Sequence, residues 1–380
     1  MKLNKLYHRA ARPFARHEMS WPRARIGTLL GLGCLALWGG SVAGCDGGEG
    51  PAPRPQPVAW STVIEDDASG AFYSVWGSGP SDVWIAGGEA GKPSLRHFDG
   101  KAWSRRDPPL AAKLRWVHGD GLGKVLVVGD GGQAALYDGG AWTTLNTGHP
   151  GAVLWGAWLQ SDGTGWAVGG SAAAVGDDPG PDKLLLLRRP AGATDFEPVA
   201  LGERTKWPKS SSSQLFKLWR DDASGTLFAV GGRAYVATSG GGAGWQESFS
   251  DSSGAPLFTV HGRSATDVWA VGGAIGALLV RFNGKSWQPE ALPEDVPFVV
   301  QGVFAHPDGR VDVAGERGFT ARRGADGAWT SSSILTAANL HAVFHDGKRS
   351  WTVGGDIAID KTEHLGAIFC DDPAVPVISP

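Results

Sequence analysis

Cysteine is scarce in this chain, with three residues among 380. Cys34 and Cys45 lie near the N-terminus, and Cys370 stands alone near the other end. One cysteine beyond residue 45 cannot form an internal disulfide framework, so stability must come from a hydrophobic core. We expect Cys370 to be a small buried apolar side chain, with a reactive thiol as the alternative.

Long apolar runs and catalytic motifs are missing as well. The apolar run near the N-terminus, from Ile26 to Trp38, is too short for a comfortable transmembrane helix. No G-x-S-x-G, H-E-x-x-H or Cys-His pair occurs. These absences weaken an enzymatic interpretation without excluding it.

Basic surface is lacking after residue 44. Residues 1–44 hold seven of the 35 basic residues and one of the 38 acidic residues, so the remainder carries a formal net charge of −9. No cluster of Lys and Arg offsets this charge, and an acidic surface repels nucleic acid. We therefore expect no nucleic-acid partner.

What the sequence does contain is one phrase repeated seven times, an apolar stretch, a polar turn and a second apolar stretch that ends on Gly. The copies are VWGSGPSDVWIAGG (75–88), VHGDGLGKVLVVGD (117–130), AWLQSDGTGWAVGG (157–170), LWRDDASGTLFAVGG (218–232), VHGRSATDVWAVGG (260–273), VFAHPDGRVDVAGE (303–316) and VFHDGKRSWTVGG (343–355). Most successive copies are about 40 residues apart, which suits a four-stranded propeller blade. The paired Gly residues lack a following helix and Lys-Ser/Thr, so we expect tight turns rather than phosphate loops.

Each unit continues with a hairpin signal. Asp99-Gly100 precedes Trp103, and related Asp-Gly or Asn-Gly pairs precede Trp142, Trp287 and Trp329. Such pairs tolerate positive φ and favour tight hairpins between short strands. Each unit is therefore predicted to be a meander of four strands, a-b-c-d. Unit three, where Phe196 is the substitute for Trp, and unit six, with Asp312 in a Trp position, depart from the pattern.

The prediction is an all-β fold, a seven-bladed β-propeller of four-stranded antiparallel blades. A two-sheet sandwich would not need seven similar units. The seventh unit has no fourth-strand Trp, whereas residues near 57–63 resemble that strand. We expect this N-terminal strand to complete the last blade and close the ring, with the tail Val375–Ser379 as the competing candidate.

The phrases VWGSGPSDVWIAGG and ATDVWAVGG resemble the repeat of bacterial envelope propeller proteins built on VWGSG-x-x-DVWAVG units. The D/N-G-x-x-W hairpins are similar to a reduced Asp-box, the turn of BNR-type and sialidase-like propellers. The resemblance covers about residues 58–370 and implies a seven-bladed lipoprotein propeller. It implies little about activity, because many members have no assigned function.

The N-terminus is predicted to be a targeting segment. Residues 1–44 are interpreted as a lipoprotein signal peptide, with a true start possible at Met19, because the tetrapeptide that ends at Cys45 resembles a bacterial lipobox. That resemblance implies that Cys45 is lipidated, and an ordinary signal peptide is the alternative. Residues 45–57 form a Gly/Pro-rich tether, 58–372 the propeller and 373–380 a C-terminal tail. The expected location is the bacterial cell envelope, with the inner or outer membrane left open.

Aromatic residues and two histidines align on the first strand of the seven units. The aligned set is Trp76, His118, Trp158, Trp219, His261, Phe304 and Phe344. His118 and His261 are candidate channel ligands or bases, and the alternative is a packed layer between blades. Two histidines without a third ligand make a poor metal site, so no metal or cofactor is predicted. Trp116 and Trp155 break the repeat and are candidates for exposed contacts.

The third unit carries an insertion that brings nonrepeating residues to one face. The candidate binding loops hold Asp177, Asp178, Asp182, Arg204, Lys206, Trp207 and Lys209. Mixed charge with one aromatic suits a protein or a cell-surface glycan, and solvated insertions are the alternative. Ca²⁺ is a lesser possibility. Three Asp pairs could contribute ligands, Asp66-Asp67, Asp177-Asp178 and Asp221-Asp222, but none matches EF-hand spacing.

Three functions remain open from the sequence. The first is a lipid-anchored, noncatalytic protein- or glycan-binding or assembly module of the envelope. The second is an envelope glycan hydrolase or lyase that uses channel or rim residues. The third is a structural scaffold of the envelope.

Overall fold

The computed structural model describes residues 56–68, 70–171, 184–201, 214–232, 235–239, 244–249, 255–355 and 365–378. These residues form seven four-stranded antiparallel sheets and one short 3₁₀ turn, Glu316–Gly318. Within them, no helix has the length and hydropathy needed to cross a bilayer. The lipidation candidate Cys45 and the seven candidate loop residues, from Asp177 to Lys209, lie outside the described residues.

Each sheet is a meander, with strands in the order a-b-c-d. Blades one to three comprise β2 Phe72–Gly79, β3 Asp82–Glu89, β4 Lys92–Phe98 and β5 Trp103–Arg105; β6 Leu114–Gly119, β7 Val125–Gly129, β8 Ala134–Tyr137 and β9 Trp142–Leu145; β10 Ala152–Leu159, β11 Gly165–Ser171, β12 Leu185–Arg189 and β13 Glu197–Pro198. Blades four to six comprise β14 Leu215–Arg220, β15 Leu227–Gly231, β16 Tyr235–Ser239 and β17 Trp245–Phe249; β18 Leu257–Ser264, β19 Asp267–Gly273, β20 Ala277–Phe282 and β21 Trp287–Pro289; β22 Val300–Ala305, β23 Val311–Gly315, β24 Thr320–Arg323 and β25 Trp329–Ser331.

Blade seven combines both ends of the described chain. It comprises β26 Leu340–His345, β27 Ser350–Gly355, β28 Gly366–Cys370 and β1 Ser61–Asp67, in that order across the sheet. Ser61 pairs with Cys370 and Ile64 with Ile368. The predicted closure by an N-terminal strand is confirmed, although the strand starts four residues later than the expected segment. In the competing tail, Ile378 N–H donates to Val63 O of β1 at 2.8 Å, and Pro376 O accepts from Trp103 Nε1 of blade one at 3.1 Å.

The seven sheets form a ring around a central channel. Each first strand contacts the first strands of the two neighbouring blades, including β2 with both β6 and β26. The b→c and d→a connections lie on one face of the ring, called the upper face below, and the a→b and c→d turns lie on the lower face. The predicted seven-bladed β-propeller is confirmed.

A β-bulge interrupts the first strand of all seven blades at the same place. In blade one, Phe72 pairs with Gly87 and Ser74 pairs with Ala86, so Tyr73 between them has no partner across the sheet. The bulge brings the strand close to the Gly that ends the repeat, and a Cβ on Gly87 would lie 2.2 Å from Ala71 O. This close approach explains why the repeat ends on Gly. The second Gly has positive φ at Gly88, Gly273 and Gly355, as a turn requires.

Two tryptophans of the second strand, each in a D-V-W phrase, are buried and fixed by a nearby carboxylate. Trp84 Nε1 donates to Asp82 Oδ1 at 2.7 Å, and Trp269 Nε1 donates to Asp267 Oδ1 at 3.1 Å. In the D-V-W phrase, the Asp carboxylate therefore accepts the one N–H of the Trp ring. The rest of the ring is apolar and packs between blades. Asp312 replaces Trp in blade six, where Arg322 donates two hydrogen bonds to it at 2.6 Å. Burial alone would raise the pKa of Asp312, but hydrogen bonds from Arg322 and His306 lower it to about 2.

Tryptophans of the fourth strand connect neighbouring blades. Trp287 Nε1 donates to Ser248 Oγ of blade four at 3.3 Å, and Trp60 Nε1 donates to Thr320 Oγ1 of blade six at 3.0 Å. In blade three, Phe196 is buried in the core between blades two and three, in the position predicted for it. The recurring aromatic residues therefore serve packing between blades.

Candidate functional site

The first strands place a layer of seven large side chains around the channel. Each residue of the aligned set lies opposite the equivalent second-strand position, as in Trp76 with Trp84 and His118 with Leu126. Neighbouring rings contact one another, with centroids 3.9 Å apart for His118 and Trp158 and 4.2 Å for His261 and Phe304. These residues surround an apolar cavity of about 130 Å³.

The two histidines of this layer make the same hydrogen bond to the next blade. Nδ1 of His118 accepts from Leu159 N–H, and Nδ1 of His261 accepts from Ala305 N–H, both at 3.1 Å. Burial, followed by a neighbouring histidine, lowers the pKa of each imidazole to about 3. Both rings are therefore neutral at physiological pH, with Nδ1 occupied by a structural bond.

A second layer, nearer the upper face, consists of the residues that the bulges leave unpaired. They are Tyr73, Arg115, Trp155, Phe216, Phe258, Gln301 and His341. All seven, together with Lys217 and Thr259, line a cavity of about 220 Å³, called the upper chamber below. A bulge turns one extra side chain out of the ladder, and here it supplies each blade's contribution to the channel wall.

Arg115 lies at the centre of the polar wall of the upper chamber. Its guanidinium carbon is 4.7 Å from the ring centroid of Tyr73 and 4.3 Å from that of Trp155. Its Nε and Nη2 donate to the two carboxylate oxygens of Asp130 at 2.6 and 3.1 Å. Such a bidentate pair fixes the guanidinium and largely neutralises its charge.

Lys217 is a buried amine with no carboxylate beside it in the described part of the chain. Nζ donates to the Trp155 carbonyl and lies 4.0 Å from the centroid of the Trp116 ring. Burial, and secondarily the charge of Arg115, lower the pKa of Lys217 well below its ordinary range. A buried lysine usually has a counterion, so this side chain calls for an explanation.

On the opposite side of the polar wall, His341 makes hydrogen bonds through both ring nitrogens. Its Nε2 donates to Gly355 O at 3.0 Å, because a carbonyl can only accept. Burial lowers the pKa of His341 to about 4, so the neutral ring needs a donor at Nδ1. Gln301 Oε1 lies 2.5 Å from that nitrogen, and the Gln301 amide must therefore turn its NH₂ group toward it. Tyr73 stacks on His341 with centroids 5.0 Å apart, and its hydroxyl has no hydrogen-bond partner within the described residues.

Exposed apolar side chains gather on the upper face beside the channel. Ile275 is 94% exposed in the b→c turn of blade five, Phe298 is 67% exposed between blades five and six, and Ile334 is 71% exposed between blades six and seven. Of the described large apolar residues, Leu122 on the lower face and Val377 in the tail are also this exposed. The three upper-face residues are called the apolar rim below.

Backbone contacts connect the three segments that carry the apolar rim. A Cβ built on Gly273 would lie 2.4 Å from Phe298 O, which places the turn of Ile275 against the Phe298 segment. Glu316 N–H donates to Val299 O, and Leu335 N–H donates to Gly318 O. The 3₁₀ turn Glu316–Gly318 therefore joins the segments of Phe298 and Ile334.

Sequence reasoning found the first layer but not the upper chamber. The bulged residue lies just before each repeated phrase and varies in chemical type around the ring, so no alignment signal marked it. Trp116 and Trp155, expected to be exposed, are half-buried in the channel wall. Asp221, one of the possible Ca²⁺ ligands, accepts from Ser224 N–H and Oγ, and no metal-binding cluster of three ligands occurs within the described residues.

Comparisons with known proteins show the fold. No protein-family model and no curated protein matches the chain. Among solved structures, YCF48 from Cyanidioschyzon merolae is 17% identical with a TM-score of 0.58, covering 82% of this chain and 98% of that one. A structure of YCF48 bound to D1 peptide is 15% identical with a TM-score of 0.59, covering 87% and 99%. A catalytically inactive virginiamycin B lyase from Staphylococcus aureus, with quinupristin, is 12% identical with a TM-score of 0.63, covering 82% and 98%.

These likenesses place the chain in the structural class of seven-bladed β-propellers. At identities of 17% and below, they extend to the fold and not to an activity. The class includes a peptide-bound protein and a lyase, so the site itself must support any functional conclusion.

Proposed function

We propose that this chain is a noncatalytic binding module that holds an extended segment of a partner protein on its upper face. The observation that carries the proposal is the apolar rim, in which Ile275, Phe298 and Ile334 are exposed on three successive connections. Isolated exposed apolar residues are common, but three on neighbouring connections of one face favour an interaction surface.

The geometry of the rim suits an extended peptide rather than a ligand bound in a deep pocket. The three side chains belong to separate connections that backbone contacts join into one arc over blades five to seven. An extended peptide can place alternate side chains against such an arc. The structure of YCF48 with D1 peptide has the same fold class and supports a peptide as occupant.

The finer elements of this proposal come from the sequence. We propose that Cys45 carries a lipid and that residues 45–57 tether the propeller to a membrane of the bacterial envelope. We also propose that the insertion loops that hold Asp177, Arg204 and Trp207 contribute to specificity for the partner. A cell-surface glycan is the alternative partner, and a scaffold without a discrete site is the alternative role.

An envelope hydrolase or lyase remains the enzymatic alternative. His118 and His261 do not favour it, because each is neutral and uses Nδ1 for a bond between blades. Burial depresses both pKa values to about 3, far from the range of a general base at neutral pH.

A peptide-display selection on the immobilised full chain tests the proposal. Selected peptides are then titrated against wild type, against a triple variant Ile275→Ser, Phe298→Ser and Ile334→Ser, and against the lower-face control Leu122→Ser. We expect the triple variant to lose at least about tenfold in affinity, because three exposed apolar contacts disappear. The control should bind like wild type. Peptides that bind all three proteins equally would place the interaction elsewhere and overturn the proposal.

A further inference from the structure

The upper chamber has a chemical asymmetry that the packing of the ring does not require. One side is aromatic, with Trp155, Phe216 and Phe258 in contact at centroid distances of 5.9 and 5.3 Å. The wall also includes the hydroxyl-bearing side chain of Tyr73, and Lys217 follows Phe216 on the same strand, with its amine at the Trp155 carbonyl. No carboxylate lines the described chamber, because Asp130 lies behind Arg115 and is engaged by it.

The amine of Lys217 has one protein acceptor, the neutral carbonyl of Trp155. An ammonium group carries three donors, so a bound anion could accept from those that remain. Burying an amine without a counterion lowers stability, and a residue that lowers stability inside a cavity is often retained for a ligand.

Tyr73 adds an independent observation. Its side chain is 5% exposed, and its hydroxyl is buried without a hydrogen-bond partner among the described residues. A buried, unsatisfied donor is uncommon and indicates a missing acceptor. Tyr73 and Lys217 are joined through Arg115, which contacts the Tyr73 ring and acts electrostatically on the lysine.

The size of the chamber limits the ligand. An engineered cavity of about 150 Å³ binds benzene. The upper chamber, with about 220 Å³, has room for one aromatic ring and one small charged group.

We propose that the upper chamber binds a small aromatic monocarboxylate, with its carboxylate on Lys217 and Tyr73 and its ring against Trp155, Phe216 and Phe258. Lys217 forms an ammonium–carboxylate pair with the ligand, and the anion raises the lowered pKa of this amine, so binding is linked to proton uptake. The groups that act on this proton are Arg115 with its partner Asp130, Tyr73 and His341. The site is separate from the apolar rim and does not depend on a protein partner.

Calorimetric titration of the full chain with benzoate, benzamide and acetate tests the proposal. We expect benzoate to bind with a Kd of about 1 mM or tighter, and its neutral and nonaromatic counterparts at least about tenfold more weakly. Titrations between pH 6 and pH 10 in buffers of different ionisation heat should show a pH interval with proton uptake on benzoate binding. No detectable benzoate binding, or equal binding of benzamide, would overturn the site.

Two variants assign the residues. Lys217→Met should weaken benzoate binding at least about tenfold and abolish proton uptake, whereas Tyr73→Phe should weaken it severalfold and leave proton uptake intact. The matched control is Lys285→Met, which removes an exposed lysine on the lower face. Wild-type binding by both test variants would contradict the proposal. Tyr73→Phe keeps the test decisive if the lysine variant does not fold.

Discussion

His118 on blade two accepts a hydrogen bond from the backbone N–H of Leu159 on blade three at 3.1 Å. His261 and Ala305 repeat this bond between blades five and six. Elsewhere in the same layer Trp or Phe occupies the position. These histidines therefore add a polar link between blades to a layer that is otherwise aromatic.

Replacing both histidines with Phe should reduce sensitivity to acid. The pKa is about 6.5 in the unfolded chain and about 3 in the folded chain, so the unfolded state binds more protons between these values. Stability is present above pH 6.5 and is lost as pH falls toward 3, by up to about 1.4 kcal/mol per pH unit for each histidine. The double variant should lose about 1–2 kcal/mol per site at pH 7, because two N–H groups lose their acceptor.

Urea unfolding at pH 7 and pH 4 measures this effect. The difference in unfolding free energy between the two pH values should be clearly smaller in the double variant than in wild type. Equal differences would mean that the two histidines do not govern the acid response.

Gly272→Ala should destabilise the propeller by about 2 kcal/mol or more. A Cβ at this position would lie 1.8 Å from Pro256 O, where the bulge brings the first strand against the second. Backbone must move to admit the methyl group. Gly276→Ala in the same blade is the control, since its Cβ would meet no atom within 4 Å. A thermal melt of both variants checks the prediction, and equal shifts would contradict it.

Lys217→Met should stabilise the protein at neutral pH. Burial lowers the pKa of Lys217 well below its ordinary value in the folded protein, whereas the unfolded lysine titrates near 10.4. The unfolded state therefore binds more protons in the interval between the lowered pKa and that value. Wild-type stability should rise with pH through this interval, by up to about 1.4 kcal/mol per unit, and the variant should lack this rise.

Denaturant unfolding between pH 7 and pH 10 tests the lysine prediction, with Lys285→Met as the exposed control. Loss of the bond to the Trp155 carbonyl costs about 1 kcal/mol and reduces the net gain expected from removing the amine. Parallel stability curves for wild type and Lys217→Met would show that the buried amine does not titrate differently on folding.

Much of the fold could be predicted from the sequence, because the repeat places Gly, Asp and Trp where geometry demands them. Gly87 faces the bulge, Asp82 accepts from Trp84, and Asp99 accepts from the N–H groups of its hairpin at 2.7 and 2.8 Å. Phe196 substitutes for Trp because any large ring fills the interblade core. Local rules that recur in several blades are readable from one chain.

The upper chamber could not be predicted in the same way. Its wall comes from bulged positions, and a bulge changes which residue faces the channel without a mark in the apolar pattern. Lys217 follows a bulged residue and looks in the sequence like an ordinary solvent-facing lysine. Its burial depends on contacts with Trp116 and Trp155, which come from two other blades.

Ile64→Ala should weaken the closure of the ring by about 2–5 kcal/mol. Ile64 is 2% exposed, pairs with Ile368 and packs in the core between blades seven and one. Val377→Ala, at a position 70% exposed, is the control and should stay within about 0.5 kcal/mol of wild type. Hydrogen exchange at β28 amides should accelerate in the Ile64 variant alone. Unchanged exchange there would show that β1 does not hold the last blade.

The pairing of β1 with β28 also orders events during synthesis. Among the described strands, the one that completes blade seven is synthesised first, and its partner β28 is synthesised last. Until then β1 has no sheet to join, and β27 has a free edge open to other chains. A chain truncated before Gly366 lacks β28 and therefore cannot close the ring through β1. Closure of the ring therefore depends on β28, which lies between β27 and β1 in blade seven.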